Sequence, residues 1–315
     1  MATRPHVLVT GASGFVGAAV ARLAVERGLA VTALVGPRSR LDRLAPLARE
    51  VEIVRADITD AGALAAAATA ARPDACIHLA AAGAVVREDD LQLLLAANAV
   101  APAVLARALA ATGCTRLVTA GSSSEYGTVE GPMDEALACA PDDPYGVAKL
   151  AGGLLARQAG REAGLQTAHL RLFAVYGPGE DPRRLVVSVI RSLLAGRPVE
   201  LTPGGQVRDF VYVDDVAEAL VGAALRPGID GVTANVGTGV QTRVRDLCMT
   251  IAEVTGRHEL LRFGARPYRD GERFHWRAAT AHAEAALGWR ARTPLAEGLR
   301  RTIDFERGAL AREAA

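Results

Sequence analysis

The segment that most constrains this chain is a turn with three spaced glycines, Gly11-Ala-Ser-Gly14-Phe-Val-Gly17. It stands between a short β-branched run, His6–Thr10, and a longer Ala/Leu run over 15–27. A strand that turns directly into a helix uses each glycine differently. Gly11 permits the tight turn, Gly14 lets the backbone approach a pyrophosphate, and Gly17 lets the helix pack closely on the strand. The leading N–H groups of that helix and its dipole then face the phosphates. A plain glycine-rich turn would show the same letters. The strand–turn–helix frame favours a dinucleotide site, with Ser13, Phe15 and Val16 lining it beside the three glycines.

The next stretch repeats the pattern. Runs at 30–35, 51–56, 75–79 and 116–120 read as strands, and 91–112 as a long helix. Strands alternating with helices predict parallel βαβ units. VLVT and CIHLA show no polar alternation, as expected of strands covered on both faces. Half the residues are hydrophobic and only 4% are aromatic, so Ala, Leu and Val must fill the core. A helix over 145–163 and a strand over 166–172 follow. Proline and glycine then punctuate 178–205 around one helix at 185–194. Strands at 210–213 and 233–236, and helices at 244–255 and 278–287, complete the pattern. The expected fold is α/β, a Rossmann-type doubly wound parallel sheet with a smaller α/β substrate-binding region. Residues 1–173, with 208–240 returning to them, form the nucleotide-binding domain; 174–207 and 241–315 form mainly the substrate region.

Bulk properties exclude several functions. With 36 Lys+Arg against 35 Asp+Glu, no basic field points to nucleic acid or anionic lipid. Cys76, Cys114, Cys139 and Cys248 are widely spaced, with no CxxC pair or His/Cys cluster, so free thiols and no metal are expected. The N-terminus runs straight into the first strand, leaving no room for a signal peptide. The Ala-rich stretch Ala61–Ala71 is too short to span a bilayer. A cytoplasmic protein without a membrane partner is expected.

Cofactor preference is read at the end of the second strand, where an acid normally holds the adenosine ribose of NAD. Here the sequence is Val35-Gly36-Pro37-Arg38-Ser39-Arg40. Arginines suit a 2′-phosphate, so NADP(H) is favoured and NAD(H) kept open; as loop charges, Arg38 and Arg40 would simply be solvated. Asp57-Ile58, ending the third strand, offers a carboxylate to the adenine amino group, or a cap for the next turn.

Tyr145-Gly-Val-Ala-Lys149 opens a helix, and i, i+4 spacing puts both side chains on one face. A tyrosine titrates near pH ~10 alone; a lysine one turn away and an oxidised nicotinamide would favour the phenolate. Tyr145 could then exchange a proton while the cofactor exchanges a hydride at the same carbon. The fifth strand ends in Gly121-Ser122-Ser123-Ser124-Glu125-Tyr126-Gly127, at the carboxyl edge that lines the ligand crevice. A serine there can hydrogen-bond the reacting oxygen; a serine-rich turn is the alternative. Asn98, a polar insertion in an apolar helix, either orders the lysine through a water or carbonyl or is a satisfied buried amide.

Together these residues resemble the extended short-chain dehydrogenase/reductases, in particular sugar-nucleotide epimerases, dehydratases and reductases. The match spans nearly the whole chain: GASGFVG at 11–17, DITD at 57–60, HLAA at 78–81, GSSSEYG at 121–127, YGVAK at 145–149, RLFAVYGPGED at 171–181, RDFVYVDDV at 208–216, NVGTG at 235–239 and LGW at 287–289. The resemblance implies Tyr145 and Lys149 as catalytic, with Ser122, then Ser123, as the catalytic serine and Asn98 in support. It implies Leu79, Ala80 and Ala81 along the cofactor. Substrate contacts fall on Ser122, Ser124, Glu125, Arg208, and Arg269 or Arg273. A nucleotide-diphosphate sugar substrate and a homodimer are implied as well, with specificity in 174–206 and the loop after Ala81.

The chain departs from the family at Ala174 and Ala279, where Asn and Asp are usual, and at Ser123-Ser124, where 4,6-dehydratases carry Asp-Glu. Dehydration is therefore disfavoured. The favoured activity is reduction of a 4-keto-6-deoxy nucleotide sugar, the alternative an NAD-dependent 4-epimerase. A non-catalytic dinucleotide-binding protein ranks last, because Tyr145 and Lys149 are both present.

Overall fold

The computed structural model describes residues 4–83, 90–269 and 271–313. Residues 84–89 of the loop after Ala81 thus lie outside the described residues. The strands β1 (His6–Thr10), β2 (Ala30–Val35), β3 (Val51–Arg55), β4 (Ala75–His78), β5 (Arg116–Ser122) and β6 (Gln166–Leu172) form one sheet. Four short strands intervene, β7 (Ala174–Tyr176), β8 (Val199–Leu201), β9 (Val207–Arg208) and β10 (Phe210–Tyr212), before β11 (Val232–Val236) completes it. The order is β11-β6-β5-β4-β1-β2-β3, and every pair is parallel. The chain starts at the centre, builds outward to β3, then crosses back to β4 beside β1. That reversal opens a crevice at the carboxyl ends of β1 and β4, where ligands of such sheets bind.

Strand periodicity explains the double covering. Val7 and Val9 of β1 join one apolar core and Leu8 between them joins the other. The first core is closed by α1 (Phe15–Glu26); the second by α2 (Ala61–Ala71), then the helical stretch α3 (Leu91–Leu95) to α4 (Ala101–Ala110), and by α5 (Pro144–Ala163). Leu8, Leu34 and Leu117 are fully buried. Truncating any of them to alanine should cost about 2–5 kcal/mol.

The long helix expected at 91–112 is interrupted by a π turn, Ala96–Val100. Pro102 explains it: proline has no N–H to give the Asn98 carbonyl, so the helix widens there. The whole stretch Leu91–Ala110 is long and apolar enough to cross a membrane, but 56% of it is buried within the fold, packed on α2 and α5.

α6 (Leu185–Leu194), α8 (Val244–Thr255) and α10 (Leu295–Glu313) enclose a third apolar core, with Ile190, Leu193, Leu247, Ile251, Leu299 and Ile303 at its centre. Three helices were not foreseen from the sequence, α2 among them. α7 (Val213–Leu225) starts inside the RDFVYVDDV segment and covers the first sheet face, and α10 hides its apolar stripe among charges. α9 (Ala281–Leu287) begins later than expected because Ala278 is drawn into a bridge with Met133.

Candidate active site

A cavity of about 1070 Å³ runs along the carboxyl edge of the sheet, from the glycine turn to Tyr145 and Trp276. Its first half fits a dinucleotide. A Cβ on Gly11 would stand 2.6 Å from the Ala80 nitrogen, and one on Gly17 would stand 2.1 Å from the Gly11 carbonyl oxygen. Only glycine lets the turn, α1 and the chain after β4 converge. That chain is tied to β1 because Leu79 and Ala80 N–H groups donate to Thr10 Oγ1 at 3.2 and 3.3 Å. α1 has no side-chain cap and no acid in its first turn, which leaves its leading N–H groups for an anion. Gly11, Ser13, Gly14, Phe15, Val16, Gly17, Asp57, Ile58, Leu79, Ala80 and Ala81 all line the cavity. Asp57 sits below the usual carboxylate range because the Thr59 N–H and hydroxyl donate to it.

The arginines at the end of β2 behave differently from the expectation. Arg38 and Arg40 are exposed and are not among the residues lining the cavity; Arg40 pairs with Asp42 at 2.7 Å. Arg55 orders this loop by donating to the carbonyls of Gly36, Pro37 and Ser39. The residues that do reach the cavity are Ser39 and Arg43, and Arg43 donates to Gly179 O at 2.8 Å. Sequence reasoning stopped at Arg40, three residues short of Arg43.

The catalytic half is assembled by one cap and one close approach. Asp143 caps α5 by accepting from the Gly146 N–H at 2.7 Å, with Pro144 fitting the first turn. A Cβ on Gly146 would stand 2.6 Å from the Ser124 carbonyl oxygen, so α5 seats directly on the end of β5. This brings the Tyr145 hydroxyl beside the Ser122 side chain, which acts to lower its pKa. Lys149 lies one turn further, buried. It is also the only lysine in the chain; every other basic side chain besides histidine is arginine. That composition signal escaped the spacing argument.

Burial sets the protonation states. It pushes the Tyr145 hydroxyl up to about 12, Glu125 adding to the effect, and pulls Lys149 down to about 8 against the opposing charge of Glu125. The lysine alone therefore does not produce the phenolate that the i, i+4 spacing suggested.

Other expected residues divide. Ser123 Oγ is buried and accepts from Trp276 Nε1 at 3.1 Å; Ser122, Ser123 and Ser124 all line the cavity. Asn98 is a satisfied amide: its side chain holds Ala82, donating to the carbonyl at 2.9 Å and accepting from the N–H at 3.1 Å. Glu125, expected against the substrate, is fully buried behind β5 and is not a lining residue. It accepts from Ser122 N at 2.7 Å, His169 Nε2 at 2.9 Å and Arg171 Nε at 2.8 Å. Burial works to raise its carboxyl, but His169, Arg171 and Ser122 N outweigh this and hold it at about 2.

At the far end, Arg208 lines the cavity, pairs with Glu272 at 2.9 Å and stacks on Trp276. Arg273 is not itself a lining residue, but it is half-buried against two that are, stacking on Trp276 and pairing with Asp142. Arg269 is exposed and is not a lining residue, which removes it from the candidate set. Trp276, Arg184 and Glu180 line the cavity without having been foreseen. Arg184 donates to Glu180 at 3.3 Å, while burial raises the Glu180 carboxyl to about 7. Trp276 was marked in the sequence only by rarity, as one of two tryptophans.

A model of the NAD dependent epimerase/dehydratase family matches residues 7–237. A UDP-glucose 4-epimerase of Mycolicibacterium smegmatis is 34% identical over 312 residues, 96% of this chain and 98% of that one. A dTDP-glucose 4,6-dehydratase of Streptomyces niveus is 29% identical over 316 residues, 96% of this chain and 93% of that one. Among solved structures, MoeE5 in complex with UDP-glucose and NAD matches with a TM-score of 0.87 at 33% identity, covering 97% of this chain and 99% of that one. The outward arginines of this chain do not support the preference for NADP(H) drawn from Arg38 and Arg40. The chain belongs to the NAD dependent epimerase/dehydratase family.

Proposed function

We propose that the protein is an NAD-dependent 4-epimerase of a UDP-hexose. The observation that carries this is that Tyr145, Ser122 and the buried Lys149 line one cavity with the glycine turn, the Tyr145 hydroxyl beside the Ser122 side chain. Relatives that are UDP-glucose 4-epimerases support it over 4-keto reduction, the activity favoured by sequence reasoning. Dehydration needs an acid free to act beside the serine, and Glu125, the acid of the GSSSEYG segment, is locked behind β5.

NAD, when bound along the glycine turn, supplies a reversible hydride acceptor. The chain's own residues manage the proton. Tyr145 takes it from the sugar's C4 hydroxyl and returns it to the C4 oxygen once the keto sugar has presented its other face. Ser122 orients the tyrosine hydroxyl. Lys149 supplies positive charge on the same helix face, offsetting the burial that keeps Tyr145 protonated. Arg208 and Arg273, both against Trp276, provide cations for the diphosphate. The purified protein should retain NAD and convert UDP-glucose without consuming added NADPH. Stoichiometric NADPH oxidation with a ketosugar nucleotide would restore the reductase reading, and release of a 4-keto-6-deoxy sugar would support a dehydratase.

For assembly, a second copy of this chain is the partner that fits. Leu91, Leu95 and Val100 are exposed on one helical stretch and Val147, Leu154 and Leu155 on α5, which packs beside it. Two such helix pairs can cover each other across a dyad.

A further inference from the structure

The buried acid behind the serine strand has no place in the reaction as described, yet the fold is shaped around it. A Cβ on Gly121 would stand 2.4 Å from His169 Nε2 and 2.5 Å from Glu125 Oε1, and one on Gly153 would stand 2.6 Å from the His169 ring. Two glycines, one on β5 and one on α5, thus leave room for an imidazole between strand and helix. A carboxylate can only accept, so His169 Nε2 carries its proton toward Glu125, and Nδ1 pairs with Thr119 Oγ1 at 2.8 Å. Arg171, two residues along β6 on the same face, binds the other carboxylate oxygen. The remaining contact is the useful one: the Ser122 N–H donates to Glu125 Oε1 while Ser122 Oγ accepts from the Ser124 N–H. This reciprocal cap leaves the serine hydroxyl facing Tyr145.

We propose that Glu125 is a positioning residue of the reaction: clamped by His169 and Arg171, it fixes the Ser122 main chain against Tyr145. This rests on Ser122, Tyr145 and Lys149 being the catalytic set. An electrostatic half accompanies this placement: α5, which carries Lys149, packs on the turn that carries Glu125, and the carboxylate acts to raise Lys149 and Tyr145 alike. The other charged groups facing this pair are His78 from β4, Asp143 at the head of α5 and Arg184 from the start of α6; Cys139 also lies near Glu125 and Arg171. Arg171 and Arg184 cannot give up their charge near neutral pH, and burial keeps His78 neutral; of the two carboxylates, Glu125 is the one that acts on Lys149.

Because Lys149 is the only lysine, protein labelled with ¹³C at the lysine ε-carbon gives one side-chain signal whose pH titration needs no substrate. In Glu125→Gln, which retains an acceptor for Ser122 N, the midpoint should fall by about half a pH unit or more from its wild-type value. The basic limb of the kcat profile should move with it. His169→Gln keeps the charge and loosens the clamp, so kcat should drop about tenfold with KM for UDP-glucose unchanged and the lysine midpoint nearly so. A lysine midpoint in Glu125→Gln equal to wild type overturns the electrostatic half, and an unaltered kcat in His169→Gln overturns the positioning half. Wild-type protein that turns over no UDP-glucose would refute the epimerase reading instead, and the lysine titration would still decide the role of Glu125.

Discussion

The Tyr145 hydroxyl lies beside the Ser122 side chain, where the first turn of α5 meets the last residue of β5. Tyr145→Phe deletes the phenolic oxygen and little else. Turnover should fall by about 10²–10⁴-fold, the usual contribution of a positioned acid–base group, while NAD content and Tm stay near wild type. Undiminished turnover would remove Tyr145 from the mechanism.

Ser122→Ala should be milder. The tyrosine keeps its seat on α5 but loses its orienting partner. A kcat reduction of about 10- to 100-fold is expected, matching one lost hydrogen bond in a dry site. Steady-state kinetics with UDP-glucose checks it.

Lys149 gives a prediction of opposite sign for stability and activity. Its ammonium is ordinarily lost near 10.5, but burial brings it down to about 8. Between these values the unfolded chain binds the proton that the folded chain has released. Stability should therefore rise with pH across that window, and below it the buried ammonium is a standing cost. Lys149→Met should raise stability at pH 7 by on the order of 2–3 kcal/mol while abolishing turnover. Denaturant melts at pH 7 and pH 10 test this; a destabilised methionine variant would contradict it. A lysine can release its proton on burial and an arginine cannot, which accounts for a lysine here in a chain otherwise built with arginine.

Arg208 is held between Glu272 and Trp276. Arg208→Ala should raise KM for UDP-glucose about tenfold or more and change kcat little, because the contact is the same before and during the reaction. A loss confined to kcat would place Arg208 with the reacting carbon instead.

On the exposed helix pair, Leu154→Glu introduces a charge at the most exposed of the α5 leucines. If two copies meet there, light scattering should show the variant shifting from dimer to monomer at micromolar concentration, with little loss of monomer stability.

The sheet was legible in the sequence because buried parallel strands are short, β-branched and separated by glycine turns; β1, β2 and β6 begin and end where the pattern placed them. The glycine turn and the Tyr145/Lys149 helix were legible for the same reason, since local backbone geometry dictates their residues. The failures share a different cause. Arg38 and Arg40 have the right charge but point to solvent, and Glu125 has the right position in its motif but the wrong side of the strand. Direction of a side chain out of a loop or strand end depends on its partners, which can lie far along the chain, as His169 and Arg171 do for Glu125, or beside it, as Asp42 does for Arg40. Trp276 and Arg184 reach the cavity from a region whose proline and glycine turns carry no periodicity.

The central claim is that the hydride leaves C4 and returns to it within one turnover. UDP-glucose deuterated at C4, incubated with the protein and no added cofactor, tests it by proton NMR of the product. The account predicts the C4 epimer with deuterium fully retained at C4. Loss of that deuterium to solvent or to free cofactor, or a product lacking the C6 hydroxyl, would contradict it.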